Sequence, residues 1–365
     1  MFNSKHYVPI LKWKRAEQSA LEILKIEDKK LMTPLIQFVM PKLTTKESLG
    51  KTDDEKFKQI ILKFQEKIKK IPEEIIEAWG LTPIFVDVSL LYTTELKVEI
   101  FENLVLKEKE TGIFLIPVLH LSDNLKIIKT VENHKHGLCL RLVCADLDDL
   151  NELDKKIKSF FTSIRLSEKD IDLLVDIKDI GENSDKFFKY MNLSKGIPNL
   201  LKWRTFTFAS GAFHEDLSKC KRDEENHIQR FDWINWIHQI QDKSFPRKPS
   251  FSDYAIQYPI YKESTQFFAP TTSIKYTLEN DWFILKGEKQ KFELYLANAK
   301  LLVEDSRFYG ENFSNGDKFI FERANHYEKY IKDPTTKGTG STENWLTAGI
   351  NHHLTLVVNQ ISNLP

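Results

Sequence analysis

Six ionisable residues interrupt short apolar runs that would otherwise read as buried strands: Lys12, Asp87, Arg141, Asp176, Arg204 and Asp253. The runs are Tyr7–Trp13, Pro83–Leu90, Gly137–Val143, Ile171–Ile177, Trp203–Ala209 and Ser250–Ile256. Strands that are hydrophobic on both faces carry charge only for a reason, because an ionised group taken out of water must be paired or meet a ligand. Six separate segments, each bringing one such group, predict a single convergent polar site. Lys12 and Lys14 stand two apart on one strand and point the same way, with Glu17 following at the strand-to-helix turn. Two ammoniums beside a carboxylate suit a phosphate or carboxylate ligand.

Arg141 adds a planar fork of donors that stays ionised when buried, and Arg204 is less central in its run. Asp87, Asp176 and Asp253 fall late in their strands, where they would orient the bases or act as general acid or base. With Glu17 they would also offer hard oxygen ligands to a divalent cation, the weaker reading, since no spacing here is diagnostic of a metal. No metal site is assigned and any cofactor stays open. His120 closes the run Phe114–Leu121 and is a candidate for proton transfer or ligand contact. The competing reading makes Arg141, Asp87 and Asp176 an internal ion-pair network needed only for the fold. His352 and His353 lie together on the last helix and point in different directions, His353 as a packed, hydrogen-bonded side chain. His134 and His136 read as solvent-exposed loop residues.

These residues need elements to position them. Strand-like runs at Tyr7–Trp13, Pro34–Val39, Pro83–Leu90, Ile113–Leu121, Leu138–Val143, Ile171–Ile177, Trp203–Ala209 and Ser250–Ile256 alternate with amphipathic helical stretches. Eight βα units within the first 260 residues match the size of a (β/α)8 barrel, with a doubly wound open sheet as the competitor. Charges recurring across so many strands favour the barrel, which gathers its strand ends onto one mouth. Trp203–Ala209 leads into a helix over Asn226–Gln241; after Pro259 the pattern changes, with a β-hairpin around Glu279-Asn280-Asp281 followed by helices over Lys289–Val303, Asp317–Tyr330 and a Ser341-capped stretch to Ile361. The expected division is a barrel over residues 1–260 and a hairpin-plus-helix cap over 261–365.

Composition bounds the function. Lys plus Arg and Asp plus Glu are 53 each in 365 residues, so a nucleic-acid partner bound by bulk charge is disfavoured. Three cysteines without a CxxC pair fit a reduced, cytoplasmic protein, and no apolar run reaches membrane-spanning length. GxGxxG, GxxxxGK[ST], HExxH and GxSxG signatures are missing.

The opening Tyr7-Val8-Pro9-Ile10-Leu11-Lys12-Trp13-Lys14-Arg15-Ala16-Glu17, followed by Pro34-Leu35-Ile36-Gln37-Phe38-Val39, resembles the start of the phage "beta protein" family. Ser252-Asp253-Tyr254, Ile274-Lys275-Tyr276-Thr277 and Asn351-His352-His353 are similar to later segments of that family. Family members often carry Gly at the position of Ala16 and Glu at that of Gln37. The resemblance implies a setting in prophages, satellite phages and bacterial defence islands, beside a host-killing effector or toxin partner. It carries over Lys12, Lys14, Glu17, Asp253 and Tyr276 by motif match. The combined expectation is an anti-phage component. Its barrel mouth binds an anionic, phosphate-bearing small molecule or a phage component, and hydrolyses or cleaves it if it is an enzyme. The alternative is an antitoxin-like partner protein without catalysis.

Overall fold

Each of the eight predicted runs forms a strand of one sheet. The computed structural model describes residues 2–262 and 271–364. The strands are β1 (Ile10–Lys12), β2 (Leu35–Gln37), β3 (Ile84–Asp87), β4 (Leu115–Leu119), β5 (Leu138–Val143), β6 (Ile171–Asp179) and β7 (Thr205–Gly211), then β8 (Asn226–Gln229) and β9 (Ser250–Ser252). Leaving out β8, they pair in parallel in the order β1-β2-β3-β4-β5-β6-β7-β9. The first and last strands meet: Tyr7 bridges Phe251, and the N–H groups of Val8 and Ile10 donate to Phe251 O (3.0 Å) and Asp253 O (2.8 Å). The sheet is therefore a (β/α)8-type cylinder with helices in the crossovers.

Side chains two apart share a face, so the register assigns an inside and an outside. Lys12, Gln37 and Asp87 lie side by side on β1, β2 and β3. Arg141 and Asp176 take the same inward parity on β5 and β6. Below them the cylinder is filled by Val8, Ile10, Leu35, Phe85, Val118 and Leu174, which makes it a packed core rather than a pore. The opposite strand faces join the helices in a larger apolar core.

A second sheet, in the order β10-β11-β8, joins β10 (Ile274–Thr277) and β11 (Asp281–Leu285) to β8. Its hairpin was expected; its third strand was not. Asn226–Gln229 reads as the start of a helix, but its residues pair with Asp281–Ile284, and the helix runs only over Phe231–Ile240. Helices Glu293–Glu304, Asn315–Lys332 and Thr342–Ser362 complete the cap, the last with Ser341 Oγ accepting from the Asn344 N–H (3.2 Å). That helix lies directly on β10. A Cβ at Gly349 would come within 2.9 Å of Lys275 O, so a bare backbone is what permits the approach. No helix among the described residues is long and apolar enough to cross a membrane.

Candidate functional site

Arg141 is fully buried inside the cylinder, and its donors are engaged. Nε and Nη2 donate to Asp176 Oδ2 (3.1 and 2.5 Å), Nη1 donates to Asp87 Oδ2, and Nη2 also donates to Tyr254 OH (3.0 Å). Tyr254 OH in turn donates to Asp176 Oδ2 (2.7 Å), and Gln37 Nε2 to Asp87 Oδ2 (3.2 Å). His120 Nε2 stands 3.6 Å from Asp87 Oδ1, and Lys178 Nζ 2.8 Å from Asp176 Oδ2. Burial alone would raise both aspartates. The Arg141 guanidinium and His120 hold Asp87 well below the usual carboxylate range, and Lys178 with Arg141 does the same for Asp176. The same carboxylates, working against burial, keep Arg141 firmly protonated.

The lysines nearest the mouth have less company. Lys12 is 7% exposed, and its Nζ donates to Tyr258 O (3.2 Å) and lies 5.9 Å from the ring centres of Tyr254 and Tyr261. Lys275, carried on β10, donates to Ile256 O (3.2 Å) and sits 4.5 Å over the Phe213 ring. Among the described residues no carboxylate lies within ion-pair distance of either ammonium. Burial pushes each amine down to about 8; for Lys12 the pull of Glu17 opposes this while Lys14, Lys178 and Arg141 add to it. Lys14 Nζ rests 4.9 Å over the Tyr261 ring.

Lys12, Lys14 and Lys275 face one cleft of about 1040 Å³ between the barrel mouth and the cap. Lys262, Lys286 and Lys289 also line it, against the acids Glu215 and Asp216. Lys286 Nζ is held by Leu217 O, and Lys262 Nζ by Glu215 Oε1 (2.7 Å). The segment from Tyr254 to Lys262 crosses the mouth, with Tyr258 OH donating to Asp179 Oδ2 (3.2 Å) and Gln257 Nε2 to Glu17 Oε1 (2.7 Å). Glu17 is 1% exposed and its Oε2 has no hydrogen-bond partner among the described residues. Its burial raises the carboxyl's pKa, against the Gln257 bond and the two lysines.

Three predicted site residues fall elsewhere. Asp253 follows Ser252 and precedes Tyr254, both of inward parity, so it points outward. There its Oδ1 accepts from Tyr7 OH (2.5 Å) and its Oδ2 pairs with His353 Nε2 (2.9 Å) of the last helix. Tyr276 belongs to the cap interior, donating to Asp317 Oδ1 (2.7 Å) and stacking on His352, whose Nδ1 pairs with Asp317 Oδ2 (2.8 Å). Arg204 precedes β7 and binds Asp172 (Nη2–Oδ2 2.6 Å) and His136 O (2.6 Å) at the amino ends of the strands, away from the mouth. His134 and His136 are not the free loop residues expected: both approach the buried Glu108, at 3.0 and 3.4 Å. Lys12, Lys14, Glu17, Asp87, His120, Arg141 and Asp176 are brought to the mouth. Lys178, Tyr254, Tyr258 and Lys275 join them without having been singled out. Among the described residues no cluster of His, Cys, Asp and Glu could hold a metal ion.

The family model described as Beta protein matches residues 7–359, a span that runs from three residues before β1 to the last turns of the final helix. The chain belongs to the Beta protein family. Barrel, mouth and cap all fall within the matched span, so the cleft between them lies inside the family's shared sequence region. No curated protein matches the chain.

Proposed function

We propose that the cleft between barrel mouth and cap binds a small anionic, phosphate-bearing ligand, and that the chain does so in the cytoplasm as part of an anti-phage system. One observation supports the ligand reading most directly. Lys12, buried, and Lys275, half-buried, are ammoniums facing one cavity, without a carboxylate at ion-pair distance among the described residues. Such a charge stays costly until an anion arrives. The phage-exclusion setting rests on family membership and adds no chemistry. Hydrolysis of the ligand would need a carboxylate at liberty to take a proton. Of the predicted acids brought to the mouth, Asp87 and Asp176 are committed to Arg141, which leaves Glu17, while Glu215 and Asp216 line the cleft itself.

A titration of melting temperature with inorganic phosphate and tripolyphosphate at low salt tests the binding. The expected result is saturable stabilisation, about 2.7 kcal/mol at a hundredfold excess over Kd. It should vanish in the Lys12→Met/Lys275→Met double variant. An unchanged melting curve, or the same rise in wild type and double variant, would remove the reading. The Arg141 network favours a second, structural role for part of the charge, since its groups satisfy one another without a ligand.

A further inference from the structure

We propose that the ligand of the cleft is a nucleoside di- or triphosphate, its phosphate chain bridging Lys12 of the barrel and Lys275 of the cap and its nucleoside resting on the apolar lining around Ile256 and Leu346. The proposal rests on the anion-binding reading and narrows it to one class of anion. Six lysines line the cleft against two carboxylates, Glu215 and Asp216, in a chain whose basic and acidic residues are equal in number. A single phosphate ion would meet a few of those ammoniums and leave the rest repelling one another, whereas a chain of phosphates spreads its charge along them. On the cap wall Thr271, Ser273 and Lys275 alternate with the buried Thr272, Ile274 and Tyr276, which turns all three toward the cleft. Thr271 bridges Lys289, and Lys286, three residues earlier, lines the same cleft. On the barrel wall Lys12 donates to Tyr258 O as Lys275 does to Ile256 O (3.2 Å each). Those carbonyls are two residues apart, hence within about 7 Å of each other, so one phosphate chain can touch an ammonium from each wall. An ammonium carries three donors, and each lysine can keep its carbonyl while meeting the ligand.

The rest of the lining has no use for a bare ion. The cleft's volume of about 1040 Å³ suits an organic ligand, for which sites run to about 300–1,000 Å³. Phe213, Ile256 and Leu346 give it apolar surface. These side chains belong to one neighbourhood. A Cβ at Gly349 would lie 2.8 Å from Ile256 Cδ1, and Gly349 is three residues beyond Leu346 on the last helix. The Phe213 ring lies under Lys275 Nζ, which itself reaches Ile256 O. A base is a flat group that covers such a surface and gains by leaving water. Thr271, Ser273 and Thr342 add hydroxyls to the lining. Asp216, with Oδ1 accepting from the Ser218 N–H (2.8 Å), offers Oδ2 to a ribose hydroxyl. Phosphate chain, sugar and base thus each find matching chemistry in one cleft. Because the phosphates would join Lys12 to Lys275, binding also ties the cap to the barrel.

Calorimetric titration of the full chain at low salt in EDTA compares ATP with tripolyphosphate, inorganic phosphate and geranyl diphosphate. ATP should bind at least about tenfold tighter than tripolyphosphate, the gain coming from base and sugar contacts. It should likewise exceed geranyl diphosphate, which carries an apolar chain without a sugar. Lys12→Met/Lys275→Met should lose ATP and tripolyphosphate alike. Lys286→Gln/Lys289→Gln, which changes side chains outside the core, should weaken ATP about fivefold at unchanged melting temperature. Equal affinities for ATP and tripolyphosphate would overturn the nucleoside assignment and leave anion binding standing. Geranyl diphosphate binding tighter than ATP would overturn it in favour of a phosphorylated apolar chain. Inorganic phosphate binding without any response to ATP or tripolyphosphate would remove the phosphate chain and keep the simpler reading. No response to any of the four would take both readings down together.

Discussion

Arg141 is a fully buried cation and Lys275 a half-buried one, and their surroundings treat them in opposite ways. Arg141 sits between Asp87 and Asp176, with Tyr254 closing the ring of hydrogen bonds. Lys275, like Lys12 across the cleft, has a backbone carbonyl and an aromatic face. A charge whose partners come from the same chain is complete in the folded protein and braces it. A buried charge answered only by a carbonyl dipole is incomplete, and completing it is a task for something that enters the cleft. The barrel interior and the cleft therefore divide one group of charges into a structural half and a binding half.

The largest expected effect breaks the structural half. Arg141→Met would take the guanidinium from two buried carboxylates, leaving Asp87 to His120 and Gln37 and Asp176 to Lys178 and Tyr254, and should destabilise the protein by about 3–5 kcal/mol in urea denaturation. Adding Asp87→Asn and Asp176→Asn should restore a good part of that loss. A triple variant as unstable as the single one would show that the network is not self-contained. Next comes the seam between barrel and cap. Asp253→Ala strands Tyr7 OH and His353 Nε2 and should cost about 2–3 kcal/mol without changing the affinity for phosphate. A lost phosphate response with stability intact would return Asp253 to the site.

The binding half should respond with the opposite sign. Lys12→Met/Lys275→Met removes two costly charges and should raise stability by about 1–3 kcal/mol while eliminating the phosphate response. A destabilised double variant would make these lysines structural after all. The smallest effect is a pH dependence. Both amines titrate near 8 in the folded chain against 10.5 as the ordinary value, so above pH 8 the unfolded chain holds more protons than the native one. Wild-type stability should accordingly gain with pH from about 8 to 9.5 relative to the double variant, by roughly 1–2 kcal/mol for each amine. Parallel pH profiles for the two proteins would contradict the desolvated lysines.

Much of the barrel was legible because its cause is local. Eight apolar runs at βα spacing and the conspicuous charges Arg141, Asp87 and Asp176 can be read one segment at a time, and all three charges do face inward at the mouth. Two of the failures are a matter of parity. In Ser252-Asp253-Tyr254 the acid drew attention, yet the alternation of Ser250 and Ser252 assigns the inward place to Tyr254. In Lys275-Tyr276 the tyrosine was carried over by resemblance, and the neighbour facing the other way reaches the cleft. A strand reverses its side-chain direction at every residue, so a motif that locates the segment can still miss the side chain by one position.

The order of elements, their periodicity and the presence of charges that need partners were determined by the amino-acid sequence. Which charges find those partners was decided by the tertiary structure alone. Arg204 and Arg141 read alike as basic residues in apolar runs, but one meets Asp172 at the amino end of the strands and the other meets Asp87 and Asp176 at the mouth. Lys12 and Lys275 lie far apart along the chain and share a cleft only because the cap folds back over the barrel. Desolvation and the supply of counter-charge depend on everything within a few ångströms, and those neighbours are assembled by long-range packing.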